Sequence, residues 1–132
     1  LSRTGADVLK LEFPIDAAYN ADQGAWRAAC EEVSAVSTVP WVILSAGVDF
    51  ATFEQQVQIA CQSGASGFLG GRAIWKESVN MNAAERQAFL TTTGTERLQR
   101  LTAIANQYAR PWTDFYTPPA AVEKWFESYA EQ

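Results

Sequence analysis

Lys10 is the residue whose position most demands a chemical explanation. It stands in Gly5-Ala6-Asp7-Val8-Leu9-Lys10-Leu11-Glu12-Phe13-Pro14, and the apolar run Val8 to Phe13 reads as a strand. Side chains alternate along a strand, so Val8, Lys10 and Glu12 share one face and Leu9, Leu11 and Phe13 the other. If the apolar face packs on helices, Lys10 is directed into the interior of a sheet or barrel, near its C-terminal end. Burial penalises an ammonium, and a lysine that is neutral part of the time can attack a carbonyl and form a Schiff base. The same spacing permits a plainer arrangement, in which Lys10 pairs with Glu12 or another carboxylate and snorkels to water. Glu12 as an anion would hold the lysine protonated, so its expected role is structural.

Two later stretches have the makings of an anion site. Ser45-Ala46-Gly47 follows one apolar run and precedes a helical pattern, offering small residues and free backbone N–H groups. Gly70-Gly71-Arg72 follows the next apolar run and adds a guanidinium able to grip two oxygens of a phosphate or sulfonate. Each glycine motif taken singly also suits a tight turn, and Arg72 a surface ion pair. Their repetition after neighbouring strands, with a lysine on the strand before, favours the anion site. Trp75 is read as packing.

The elements that must position these groups follow a regular order. Val8–Phe13, Trp41–Leu44 and Gly67–Leu69 read as strands. Between them, Asp22–Val36 spaces Trp26, Ala29, Cys30, Val33 and Val36 as a helix does, and Phe50–Cys61 spaces Phe53, Val57 and Ala60 likewise. Gly64 is placed as a C-cap. The order β-α-β-α-β predicts parallel strands covered by helices, with polar residues gathered at the strands' C-terminal ends. Beyond Trp75, Ala83–Leu90 and Glu96–Tyr108 read as helices covering the last strand, and Pro111 stops the second. Thr117-Pro118-Pro119 forms a stiff connector to a terminal amphipathic stripe of Val122, Trp125, Phe126 and Tyr129. We therefore expect residues 1–117 to form one unit and 118–132 a terminal helix docked on it.

Composition narrows the chemistry further. The chain has 132 residues, is 48% hydrophobic and carries a formal charge of −5, with no run of Lys and Arg that would neutralise nucleic acid or an anionic membrane. The longest apolar run, Val39 to Val48, is far shorter than the ~20 residues of a membrane helix. Histidine is absent, which removes the commonest general base and zinc ligand, and two separate cysteines are too few for a structural zinc site. We expect no metal and no cofactor, no nucleic-acid or membrane partner, and a reduced cytoplasmic setting. The chain opens at Leu1 directly into a buried-strand pattern, as expected of a piece of a longer protein.

With these motifs in place, Gly-Ala-Asp-Val-Leu-Lys-Leu-Glu-Phe-Pro at 5–14, Leu-Ser-Ala-Gly-Val at 44–48 and Gly-Gly-Arg-Ala-Ile-Trp at 70–75 resemble the class I tagatose 1,6-bisphosphate aldolases. The stretches Pro40–Ser45 and Gly64–Trp75 look more like the branch that cleaves 6-deoxy-6-sulfofructose 1-phosphate. The resemblance spans roughly residues 5–112. It implies the C-terminal portion of a (β/α)8 TIM barrel, strands six to eight with their helices, with Lys10 as the Schiff-base lysine. It also implies that Ser45, Ala46, Gly47, Gly71 and Arg72 bind the substrate phosphate. The implied reaction is cleavage of a ketohexose phosphate to dihydroxyacetone phosphate and an aldehyde. The glutamate that the family uses for proton transfer belongs to strand five, which has no match here, so the chain alone is expected to show no turnover. Two alternatives stay open: another lysine-based barrel lyase, and a non-catalytic phosphosugar-binding or oligomerising part-barrel. Open sheet edges predict self-association, as a homo-oligomer.

Overall fold

Three short β-strands and two long helices follow from local signals that the computed structural model, which describes residues 5–117, makes explicit. Asp22 caps helix α1 (Gln23–Val36) by accepting the Gly24 N–H at 2.9 Å, and the helix buries Trp26 and Cys30. Asp49 caps α2 (Phe50–Gln62), accepting from both the N–H and the hydroxyl of Thr52. This helix ends at Ser63, and Gly64 takes φ +104°. There the N–H of Gly64 reaches the Cys61 carbonyl and that of Ala65 reaches Ala60, the paired bonds of a Schellman cap.

The strands β1 (Leu9–Leu11), β2 (Trp41–Leu44) and β3 (Gly67–Leu69) form one parallel sheet in the order β1-β2-β3. Lys10 is level with Val42, and Val42 with Gly67. Leu9, Leu11, Trp41, Ile43 and Phe68 therefore share the face that packs on the helices, where Trp41, Ile43, Phe53, Val57 and Leu101 are fully buried. Phe13 meets Trp26 edge-on at 5.1 Å, which pins the chain leaving β1 onto α1. The paired strand is shorter than the expected Val8–Phe13, because only Leu9 to Leu11 find ladder partners on β2.

The opposite face, with Lys10, Val42, Leu44 and Leu69, has no covering layer among the described residues. Lys10 is exposed there, which corrects the expectation of a buried amine. The alternation along β1 places the side chain on the inner face, but three strands with helices on one side leave that face open. Buried parallel sheets are ordinarily covered on both sides.

Beyond β3 the chain forms a one-turn helix α3 (Arg72–Trp75), a 3₁₀ turn (Lys76–Asn80) and α4 (Ala83–Phe89), which starts from a capping box between Asn82 and Glu85. A π-helical turn (Leu90–Gly94) then runs without a break into α5 (Thr95–Tyr108). The two separate helices read from the sequence are thus one interrupted rod. It packs chiefly on α2, through buried Leu101, rather than over the last strand. The expected terminal helix and the boundary at 117/118 lie outside the described residues. No helix among the described residues is long and apolar enough to cross a membrane.

The Thr52 N–H bond, with smaller help from the Thr52 hydroxyl and Lys76, holds the Asp49 carboxyl below its ordinary range. A lowered folded-state pKa means stability that is present above the unfolded value of 3.8 and lost as pH falls through the folded value. Asp49→Ala is therefore expected to cost about 1 kcal/mol at neutral pH. In urea denaturation the gap from the parent chain should narrow in acid, and a gap constant from pH 7 to pH 2 would refute the cap's role.

Candidate active site

The three candidate segments meet at one end of the sheet. Lys10, Leu44, Ser45, Ala46, Gly71 and Arg72 are among the residues lining a single open cleft of about 610 Å³ on the uncovered face. Parallel register explains the convergence, since the loops after β2 and β3 leave the same edge on which Lys10 stands. Val42 stands beside Lys10 in the same row, and Gly67, beyond Val42, carries no side chain. Among the described residues, neither Lys10 nor Arg72 forms an ion pair.

The β2–α2 loop is built by its backbone. Ala46 (φ 45°) and Gly47 (φ 88°) both have positive φ, and the Val48 N–H bonds to the Ser45 carbonyl at 3.1 Å, the pattern of a type I′ turn. The N–H groups of Ala46 and Gly47, and across the cleft those of Gly70 and Gly71, find no acceptor among the described residues. Unmatched N–H groups beside a guanidinium are what an oxyanion needs. A side chain at Gly47 or Gly70 would crowd its neighbours. A Cβ at Gly47 would stand 3.2 Å from Cζ of Arg72, and one at Gly70 would stand 2.4 Å from Cδ1 of Ile74. Ser45 is buried, and its hydroxyl lies 3.6 Å from where a Gly71 Cβ would be, so the two loops touch.

Two residues add to this picture. Lys76, one turn after Arg72, donates from Nζ to the Gly47 carbonyl at 3.3 Å and brings a second cation to the back of the turn. The spacing of Lys76 after Arg72 was the available sequence signal, but it depends on the chain staying helical past Trp75. Trp75, read as packing, is 41% exposed and lines the cleft. Glu12 faces elsewhere, into a neighbouring recess of about 230 Å³ with Asp16 and buried Gln56, and makes no ion pair with Lys10. The thiols take no part: burial pushes Cys30 up to about 12 and Cys61 up to about 11, which leaves both protonated. No cluster able to hold a metal ion occurs among the described residues.

The sequence model of the DeoC/LacD family aldolases matches residues 1–77. The chain is 33% identical over 127 residues to tagatose 1,6-diphosphate aldolase 1 of Streptococcus pyogenes serotype M1, covering 85% of this chain and 39% of the relative. It is 35% identical over 130 residues to the tagatose 1,6-diphosphate aldolase of Lactococcus lactis subsp. lactis, again covering 85% and 39%. The corresponding enzyme of Listeria monocytogenes serotype 4b is 33% identical over 131 residues, covering 86% and 38%. The chain thus spans about two fifths of the length of these relatives. A parallel sheet with a strand-borne lysine and two glycine loops, matched by the family's own sequence pattern over more than half its length, makes this chain a member of the DeoC/LacD aldolase family.

Proposed function

We propose that this chain supplies strands six to eight of a (β/α)8 barrel in a class I aldolase, and that Lys10 is its Schiff-base lysine. The observation that carries the reading is that Lys10 and both anion-binding loops open into one cleft at one end of the sheet. The remaining strands of a barrel would cover the face that now presents Val42, Leu44, Leu69 and Lys10, and would exclude water from the amine. Residues 1–117 belong to that barrel in this reading, with 118–132 as an added terminal segment. The setting is cytoplasmic, where free thiols such as Cys30 and Cys61 persist.

The substrate is a ketohexose 1-phosphate, with tagatose 1,6-bisphosphate and 6-deoxy-6-sulfofructose 1-phosphate as the two candidates. Ser45, Ala46, Gly47, Gly71 and Arg72 hold its phosphate and thereby fix C2 against Lys10. Attack by the neutral amine on the ketone expels water and leaves an iminium. Breaking the C3–C4 bond then sends its electron pair into that iminium, releasing an aldehyde and an enamine of dihydroxyacetone phosphate. Deprotonation of the C4 hydroxyl needs a base, which the family places on strand five, so the 132-residue chain alone is expected to give no turnover.

Borohydride reduction of the chain in the presence of dihydroxyacetone phosphate tests the assignment without requiring turnover. The sequence has three lysines, Lys10, Lys76 and Lys124, so peptide mass mapping is unambiguous. The reduced adduct is expected on Lys10, and an adduct confined to either other lysine would overturn the mechanism. A second reading, a phosphosugar-binding or self-associating part-barrel without catalysis, draws on the exposure of Lys10 and on the two sheet edges, β1 and β3, which have no further partner strand among the described residues. It is supported if no adduct forms on any lysine while sugar phosphate binds Lys10→Ala undiminished. Sedimentation would show whether the edges pair copies of the chain.

A further inference from the structure

The anion cradle is made of two loops that have little to hold them. α3 has four residues, too few to be stable alone, and Arg72 is its first. The β2–α2 turn is held by one backbone bond across it and by Lys76 from behind. A side chain from a distant helix adds a further tie between these pieces. Arg97 on α5 donates from Nη1 to the carbonyls of Ala73 and Ile74 at 3.2 and 3.0 Å, taking up the C-terminal end of α3. It also binds Glu77 through both Nη1 and Nη2, at 2.9 and 2.8 Å. The plane of the same guanidinium lies over Phe50, with 5.0 Å from Cζ to the ring centroid. Phe50 is the first residue of α2, three residues after Gly47.

We propose that Arg97 is a positioning residue for the anion site, setting the distance between Arg72 and the Ala46–Gly47 turn. This rests on the cradle reading given above and adds to it a residue that does not line the cleft. One planar cation that meets two helix-end carbonyls, one carboxylate and the rings of Phe50 and Phe89 is closely constrained in placement, and through it α3 and the start of α2 are held in register. An ammonium at this position keeps the charge and loses the fork. The side chain is 17% exposed, so water competes weakly for these bonds.

The fold supplies a comparison in the same helix. Arg100, one turn along α5, also stacks on Phe50, at 5.1 Å, and also forms a two-toothed pair, with Glu54 on α2. It touches neither cradle loop. Replacing either arginine by glutamine removes one positive charge, one Phe50 contact and one carboxylate pair, but Arg97 is the more buried, 17% exposed against 51%, and also lies over Phe89, so melting curves of both variants are needed to separate a general loss of stability from a loss at the cradle.

The experiment is titration of the 132-residue chain with inorganic phosphate, followed by amide shifts of Gly47 and Gly71, at a temperature where melting curves show every variant folded. Arg97→Gln is expected to raise the phosphate Kd about tenfold, and Arg97→Lys nearly as much, while Arg100→Gln changes it less than twofold. Equal weakening by Arg97→Gln and Arg100→Gln, or full retention in Arg97→Lys, overturns the positioning role and leaves the cradle intact. If the parent chain shows no phosphate-dependent shift at either glycine, the cradle reading fails, and the role of Arg97 with it.

Discussion

Gly47→Val is expected to reduce the chain's affinity for phosphate and for dihydroxyacetone phosphate about ten- to a hundredfold, the cost of losing charge-assisted hydrogen bonds to a bound anion. Two independent effects act at this position. The φ of 88° lies where a β-branched side chain is strained, so valine would pull the turn out of its type I′ form and redirect the N–H groups of Ala46 and Gly47. A Cβ would also stand 3.2 Å from the Arg72 Cζ and 3.3 Å from both terminal nitrogens, so the guanidinium must give way by a few tenths of an ångström, and the valine methyls add to that demand. Gly47→Ala meets the same first Cβ contact with less bulk and should fall between the parent and valine. Isothermal titration with phosphate reads the effect, and Arg72→Ala supplies the comparison, because it removes the guanidinium while leaving the turn undisturbed. If Gly47→Val binds as the parent does while Arg72→Ala does not, the turn contributes nothing and the site reduces to one cation. If both bind as the parent does, the anion lies elsewhere.

How much of this was legible beforehand depended on whether the signal was local. The starts of α1 and α2 were legible within a residue from apolar spacing alone, at Asp22–Val36 and Phe50–Cys61, since helical periodicity is a local pattern. Gly64 announced its own left-handed conformation for the same reason. The convergence of Lys10 with the two glycine loops was legible because parallel strands must send their ends in one direction. The exposure of Lys10 was not, because alternation gives the face of the sheet on which a side chain stands and says nothing about what covers that face. The segment after Trp75 was read least well. Thr91-Thr92-Thr93-Gly94 looks like a break between helices, yet the chain passes through it as a π turn, with the Thr91 and Thr92 hydroxyls bonded back to the carbonyls of Gln87 and Ala88. The roles of Lys76 and Arg97 lie in partners far along the chain, at Gly47 and at Phe50 and Ala73, which local sequence does not reveal.

At the other end of the central strand the expected effects are on stability and spare the site. Trp41 is 1% exposed, the largest fully buried side chain among the described residues, and its indole N–H donates to the Ser34 hydroxyl at 3.0 Å. That hydroxyl in turn donates to the Ser63 carbonyl, so Trp41 links β2 to α1 and to the end of α2. Trp41→Ala opens a large cavity at this junction and is expected to cost about 3–5 kcal/mol. That is a large part of the ~5–15 kcal/mol that holds most domains folded, so the variant should be largely unfolded at modest urea. Trp41→Phe keeps most of the ring volume and loses the indole bond, for an expected cost of about 1–2 kcal/mol. Ser45 lies four residues after Trp41, just past the end of β2 and about 13 Å away at strand rise, beyond the reach of local repacking. Trp41→Phe should therefore retain the parent's phosphate affinity in the absence of urea while its urea midpoint falls. A coupled loss of affinity in that variant would mean that the cradle draws its geometry from the core beneath it, and that β2 does not act as a rigid spacer between the two.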